Sequence, residues 1–172
     1  MTFKGNTQPT QAKPSQRSSI ASAILKADPT GNKNPFIRDG QYLFKVLKCE
    51  EKTRQGRSVV IEMEVLEASE IQDKDPQGIN PVGSCVSYHN NIDKSESAAG
   101  NILAFFMALT GTRDKEDPSF EETLSASLNE EQLASGMLIK GRTFRNKIKK
   151  GPNAGQDFVG VNWTHVPPES KF

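Results

Sequence analysis

The stretch that decides the fold is YLFKVL at positions 42–47, followed after a polar turn by VVIEMEV at positions 59–65. In both runs every second residue is apolar. This two-residue period is typical of a β-strand with one buried face. The turn between the runs contains Gly56, and a glycine-containing turn between two alternating runs is typical of a β-hairpin. The sequence therefore predicts a long hairpin as the first two strands of a sheet.

Three further strands and a helix are predicted beyond this hairpin. A third strand is expected at 83–92, after a loop rich in Pro, Gly and acids, and strands four and five at 137–148 and 158–166. Between strands three and four, residues 93–110 carry an apolar stripe at helical spacing and end before Gly111, which indicates a helix. The acidic stretch after Gly111 has capping-box spacing twice and predicts two short helices.

The order of elements is strand, strand, strand, helix, strand, strand. An oligonucleotide-binding (OB) fold has this order, with a helix at one end of a five-stranded barrel and with loops one-two and four-five beside the binding face. We therefore expect a mainly β domain over residues 39–172, a five-stranded OB-fold barrel with extra short helices. Residues 1–38 are expected to be a flexible arm, because they are rich in polar residues and proline and hold few large apolar groups.

One segment of the arm has a different composition. Ile20, Ile24 and Leu25 fall at helical spacing behind serines that are suitable caps. This segment is expected either to fray or to form a short helix that docks on the barrel or on a neighbouring subunit.

Composition excludes several classes of protein. The longest apolar run, 102–109, is far shorter than the roughly 20 residues of a membrane span, and the first residues lack the apolar core of a signal peptide. We therefore expect a cytoplasmic protein with no membrane partner. Cys49 and Cys85 have no CxxC partner and are expected to be reduced core residues.

Signatures of catalysis are missing from the sequence. The histidines, His89 and His165, belong to no HExxH motif, and neither GxSxG nor GxxxxGK[ST] occurs. We expect no catalytic residues, no cofactor and no metal. An enzyme such as a nuclease is a weaker alternative, since it would need carboxylates clustered on the barrel face.

The net charge of +1 conceals an uneven distribution. Segments 1–40, 41–70, 71–136 and 137–172 carry net charges of +4, −1, −7 and +5. A polyanion would contact the basic C-terminal part of the chain and avoid the acidic middle.

The basic C-terminal part gives the strongest functional signal. Alternation places Lys140, Arg142 and Phe144 on one face of strand four. Proteins that bind single strands combine a positive groove with aromatic rings on which bases stack, so Phe144 is predicted to be a stacking platform. Trp163 is in register with valines of strand five and is expected in the core. The predicted cations of this site are Lys140, Arg142, Arg145, Lys147, Lys149 and Lys150.

The tip of the first hairpin is the predicted second part of the site. Lys52, Arg54 and Arg57 surround Gly56 and are expected to grip phosphates, with a solvated turn as the alternative.

Stacking is also expected to extend to the third strand, through Tyr88 and His89, and to Tyr42 or Phe44 of the first strand. The sequence shows no helix-turn-helix, zinc finger or basic region that would enter a major groove. Binding is therefore predicted to be independent of sequence and dependent on salt.

The hairpin and the helix NILAFFMALTG at 101–111 resemble small bacteriophage single-stranded DNA-binding proteins, over residues 40–166. The resemblance implies an OB fold, single-stranded DNA as partner, and a role in phage DNA replication or recombination in the host cytoplasm. The residues themselves leave RNA open as an alternative partner. Many proteins of this kind recruit replication or recombination proteins through an acidic tail, and the resemblance implies such partners here. Residues 167–172 hold only one acid, so the acidic region 114–131 is the candidate for this contact. The other function left open is a virion or assembly β-barrel protein that forms homo-oligomers through its arm.

Overall fold

The computed structural model of the chain describes residues 35–53, 56–71, 78–94, 96–149, 151–152 and 154–168. These residues form a five-stranded antiparallel sheet with two helices, so a mainly β fold is confirmed. The strands are β1 (Gln41–Lys52), β2 (Ser58–Ser69), β3 (Cys85–Asn91), β4 (Leu138–Lys147) and β5 (Asp157–His165). The helices are α1 (Glu96–Thr110) and α2 (Pro118–Leu128).

The strand order in the sheet is β3-β2-β1-β4-β5, which makes β1 central and places β3 and β5 at the edges. β1 pairs with β2 along its length and with β4 through residues 41–45. Two register shifts interrupt the β1–β2 ladder, one after Leu43 and one after Val46. Such irregularities bend a strand and increase its twist, so β1 can pair with both β2 and β4 in a curved sheet.

The curvature brings aromatic side chains of the two edge strands together. Tyr88 of β3 and Trp163 of β5 pack edge to face, with ring centroids 5.1 Å apart. Phe105 of α1 is fully buried, and its ring centroid lies 6.2 Å from that of Tyr88 and 5.0 Å from that of Trp163. The predicted core position of Trp163 is confirmed, and the arrangement is consistent with a barrel-like fold that α1 covers at one end.

The helix α1 buries the stripe that the sequence predicts. Its buried residues include Ile102, Phe105, Phe106 and Leu109. Burying an aliphatic or aromatic side chain of this size is worth about 1.5–3 kcal/mol, so this stripe fixes the helix to the sheet.

The acidic stretch after α1 forms one helix, so the prediction of two is wrong. Asp117 caps α2 by accepting a hydrogen bond from the Ser119 backbone N–H at 2.9 Å, with Pro118 at the first turn. Hydrogen bonds from Ser119, first through its side chain, hold the pKa of Asp117 below its ordinary value.

Turns replace the second predicted helix because Gln132 bonds to β1. The Cys49 backbone N–H donates to Gln132 Oε1 at 2.9 Å, and Gln132 Nε2 donates to the Cys49 carbonyl at 2.8 Å. Gln132 has a φ of 50°, outside helical geometry. Its amide acts as a strand partner for the part of β1 beyond the end of β4.

The segment that precedes β1 is fixed against β3. The Ser87 N–H donates to the Pro35 carbonyl at 2.9 Å, and Phe36 forms a parallel bridge with Ser87. Asn80, which is 1% exposed, accepts from the Arg38 N–H at 2.8 Å and donates to the Phe36 carbonyl at 3.3 Å. The chain therefore enters β1 from a defined place at the β3 edge. The arm segment around Ile20 lies outside the described residues.

The two cysteines occupy different environments. Cys49 is buried in the core, where burial raises the pKa of its thiol to about 12. Cys85 is exposed on the edge strand β3, so the prediction that both cysteines are core residues is right for Cys49 and wrong for Cys85. Only the thiolate is reactive, and the two thiols should therefore differ in reactivity.

We expect one thiol of the native protein to react rapidly with Ellman's reagent near pH 8 and the other to react only after unfolding. The raised pKa keeps Cys49 protonated below about pH 12, and its burial blocks the reagent. The measurement is the absorbance of the thiolate that the reagent releases, under native and under denaturing conditions. Cys85→Ser is the control, and it should remove the rapid phase. Two rapid thiols in the native protein would contradict the assigned burial.

Candidate nucleic-acid interface

β4 and β5 present one alternating set of side chains away from the core. On β4, Ile139 and Thr143 are buried whereas Lys140 and Arg142 between them are exposed. The outward set in both strands, here named the β4–β5 outer face, consists of Lys140, Arg142, Phe144, Asn146, Phe158, Gly160, Asn162 and Thr164. This face combines cations, aromatic rings and amides, and it contains no carboxylate.

Two aromatic residues occupy diagonally adjacent positions on the β4–β5 outer face. Phe144 is half-buried and pairs with Gly160, and a Cβ on Gly160 would lie 2.3 Å from Phe144 Cζ, so the ring lies directly over this glycine. Phe158 pairs with Asn146, diagonally adjacent to Phe144, and is 45% exposed. Phe158 is not among the residues that the sequence predicts for the site, although the alternation that predicts Phe144 places Phe158 on the same face.

The cations of this face have no acidic partner in the described part of the chain. Lys140 and Arg142 are exposed, and neither forms an ion pair with a described residue. Lys147 and Lys149 are likewise exposed and unpaired among these residues, at the end of β4 and in the loop after it. A polyanion can approach these cations without displacing a carboxylate.

Arg145 is ion-paired within the protein, whereas the sequence predicts it as a cation of the binding site. Its guanidinium forms an ion pair with Asp39, whose side chain is 1% exposed, and its Nη1 lies 3.7 Å from Asp157 Oδ2. Arg145 therefore compensates a buried carboxylate in the structure, and its charge is not free for a phosphate as the sequence predicts.

The positive charges of Lys52 and Arg57 at the hairpin tip are also compensated by acids. Lys52 Nζ lies 3.3 Å from Glu50 Oε2. Asp93 accepts hydrogen bonds from the Arg57 backbone N–H at 2.6 Å and from Arg57 Nε at 3.0 Å, and these bonds hold the pKa of Asp93 below its ordinary value. The described tip cations Lys52 and Arg57 are therefore paired with acids, unlike Lys140 and Arg142 of the β4–β5 outer face.

Of the predicted stacking residues of β1 and β3, all except His89 pack into or against the core. Tyr42 and Phe44 are 4% and 0% exposed, so the prediction that one of them extends the stacking surface is wrong. The Tyr88 ring packs against Phe105 and Trp163, and its burial raises the pKa of its hydroxyl. Tyr88 is half-buried and packs against the core, whereas His89 lies on the exposed side of β3.

The outward side of β1 and β2 differs electrostatically from the β4–β5 outer face. Lys45 lies 3.7 Å from Glu64, and Lys48 is hydrogen-bonded to Glu50. This bond holds the pKa of Glu50 below its ordinary value and raises that of Lys48. The surface is therefore charge-compensated and offers a polyanion less attraction.

We expect Gly160→Ala to weaken binding of single-stranded DNA about tenfold, because the new methyl group displaces the Phe144 ring and stacking is worth about 1–3 kcal/mol per base. The measurement is fluorescence anisotropy with a labelled dT oligonucleotide. Gly100→Ala is the matched control, since a Cβ there meets no atom within 4 Å. Unchanged affinity of Gly160→Ala would remove Phe144 from the site.

Arg54 and Lys150, two predicted phosphate contacts, lie outside the described residues. Within the described ranges, no group of three or more His, Cys, Asp or Glu side chains is arranged to hold a metal ion. No helix among the described residues is both long enough and apolar enough to cross a membrane.

Comparison of the chain with known protein families gives no match, and comparison with curated proteins gives no significant match.

Proposed function

We propose that this protein binds single-stranded DNA without sequence specificity, and that it protects or organises the strand during phage DNA replication or recombination. The observation that carries the proposal is the β4–β5 outer face, on which Lys140 and Arg142 flank the rings of Phe144 and Phe158 with no carboxylate among them. Cations along a backbone and rings that stack on bases are the two features that single-strand binding requires.

We further propose that the sheet is an OB-fold barrel. The strand order β3-β2-β1-β4-β5 supports this, because approach of the two edge strands would close the sheet into one five-stranded barrel. The contact between Tyr88 and Trp163 brings side chains of those edges together, and α1 lies between the third and fourth strands as the OB fold requires.

The proposed DNA path differs from that of many OB folds, which use the face of strands two and three. In this protein Glu62 and Glu64 lie on the outward side of β2, and the lysines beside them on β1 are ion-paired. That surface offers a phosphate backbone less attraction than the β4–β5 outer face, so we place the strand along β4 and β5. Lys147, which ends β4, and Lys149, in the loop beyond it, are exposed and supply further positive charge at that end of the strand.

Titration of a labelled dT oligonucleotide at about 50 and 200 mM salt tests the function. We expect binding that weakens steeply between these salt concentrations, because released counterions drive association with the phosphates. The same titration with an RNA strand distinguishes DNA from RNA. Absence of binding at micromolar protein, or binding indifferent to salt, would contradict the proposal.

A structural role in a virion or assembly is the second candidate. Phe36 is 69% exposed at the β3 edge, where an apolar ring suits contact with another subunit. Deleting residues 1–34 separates the candidates. Loss of oligomers with DNA binding intact would assign the arm to self-association, whereas a full-length protein that never binds DNA would favour the structural role.

A further inference from the structure

A cleft of about 730 Å³ opens beside Phe144, between β1, β4 and the end of β2. Its lining includes the half-buried side chains of Ile71 and Phe144 and the exposed polar or charged side chains of Gln41, Glu70, Arg142, Arg145 and Asn162. A second cleft shares Gln41, Arg142 and Asn162 with it and continues along β4 towards Lys140. The first cleft, here named the Asp39 cleft, therefore opens onto the proposed DNA path.

Asp39 also lines this cleft and has one unsatisfied oxygen. Its Oδ2 is bound by Arg145, whereas its buried Oδ1 has no hydrogen-bond partner among the described residues. Buried polar atoms are nearly always hydrogen-bonded, so an unpartnered carboxylate oxygen requires an explanation. Thr143, another lining residue, is satisfied, because its hydroxyl bonds to the backbone of Gly40 at 2.8 and 3.2 Å.

The chemistry of the cleft selects a ligand that donates hydrogen bonds. A carboxylate only accepts, so Asp39 repels a phosphate and suits an N–H group of a base. Arg142 is a donor at the same cleft, and arginine binds the O6 and N7 atoms of guanine in a bidentate manner. Among the bases, guanine presents adjacent N1–H and N2–H donors on one edge and these acceptors on the other.

We propose that the Asp39 cleft is a base subsite that takes one guanine of the bound strand. The guanine ring stacks against Phe144, its amino edge donates to the Asp39 carboxylate, and its O6 and N7 accept from Arg142. This inference rests on the proposed function and adds a preference at one nucleotide to binding that is otherwise independent of sequence.

The test uses dT oligonucleotides of about eight nucleotides, a length within the site sizes of single OB folds, with one guanine moved along the strand. We expect guanine at one position to tighten binding about tenfold, which is within the range that one bidentate base contact contributes. Inosine at that position lacks the N2 amino group and should remove about half of the gain in binding free energy. Free dGMP should not displace the strand, because it lacks the neighbouring phosphates and bases.

Asp39→Asn should abolish the difference between guanine and inosine while still binding dT, with Trp163 fluorescence as the check that the variant is folded. The oligonucleotide comparison on the unaltered protein decides the question even where that variant does not fold. Equal affinity for dT, guanine and inosine strands would overturn the subsite and leave the proposed function in place. Displacement by dGMP would also overturn it, in favour of a mononucleotide site. Failure to bind any strand would refute both proposals.

Discussion

Replacing Lys140, Arg142 and Lys147 together by glutamine is expected to weaken dT binding roughly a hundredfold at about 50 mM salt. These three side chains are exposed and have no acidic partner within the described ranges. Each phosphate contact to a single strand contributes about 0.7 to the slope of log affinity against log salt, so the slope should fall in magnitude by about two.

The matched control replaces Lys94, Arg113 and Lys115, which are exposed outside the β4–β5 outer face, by glutamine. Both variants lose three positive charges, and a response to net charge alone would weaken binding equally in both. We expect the control to keep the salt slope of the unaltered protein. Equal slopes in the two variants would show that the strand does not follow β4.

Arg145→Gln is expected to lower the free energy of unfolding by about 3 kcal/mol, because it breaks an ion pair with a buried carboxylate. The value is at the lower end for buried ion pairs, since the Arg145 side chain is 37% exposed and solvent screens its charge. The substitution leaves the Asp39 carboxylate, 1% exposed, without a compensating charge. Domains are stable by only about 5–15 kcal/mol, so the loss is a large fraction of the total. Asp39→Asn combined with Arg145→Gln should recover part of the loss, since no buried charge remains.

Urea unfolding followed by the fluorescence of Trp163 measures this effect. Arg142→Gln is the control on the same strand, and its change should stay within about 0.5 kcal/mol because the side chain is exposed and unpaired among described residues. A stable Arg145→Gln protein that has lost DNA binding would restore Arg145 to the phosphate contacts that the sequence predicts.

The parts of the fold that depend on local periodicity are predictable from the sequence. The runs at 42–47 and 59–65 have alternating faces, and the helical stripe that ends before Gly111 has its own period, so the elements and their order follow directly. The same alternation predicts the outward position of Phe144 and the inward position of Trp163.

Features that depend on long-range contact are not predictable in this way. Asp39 and Arg145 are separated by 106 residues, and nothing in either neighbourhood indicates the pair. The register shift after Val46 changes which residues of β1 face the core, and a sequence period cannot place it. In β3 both alternating sets contain polar residues, so the direction in which Tyr88 points is decided by its contacts with α1 and β5.

Photo-crosslinking of the full-length protein to a dT oligonucleotide that contains 5-iododeoxyuridine tests the central claim most directly. This base crosslinks to the aromatic side chains on which it stacks, and mass spectrometry identifies the peptide. We expect crosslinks at Phe144 or Phe158, because their rings form the stacking surface of the β4–β5 outer face. Crosslinks confined to His89 and the neighbouring peptides of β2 and β3 would contradict it.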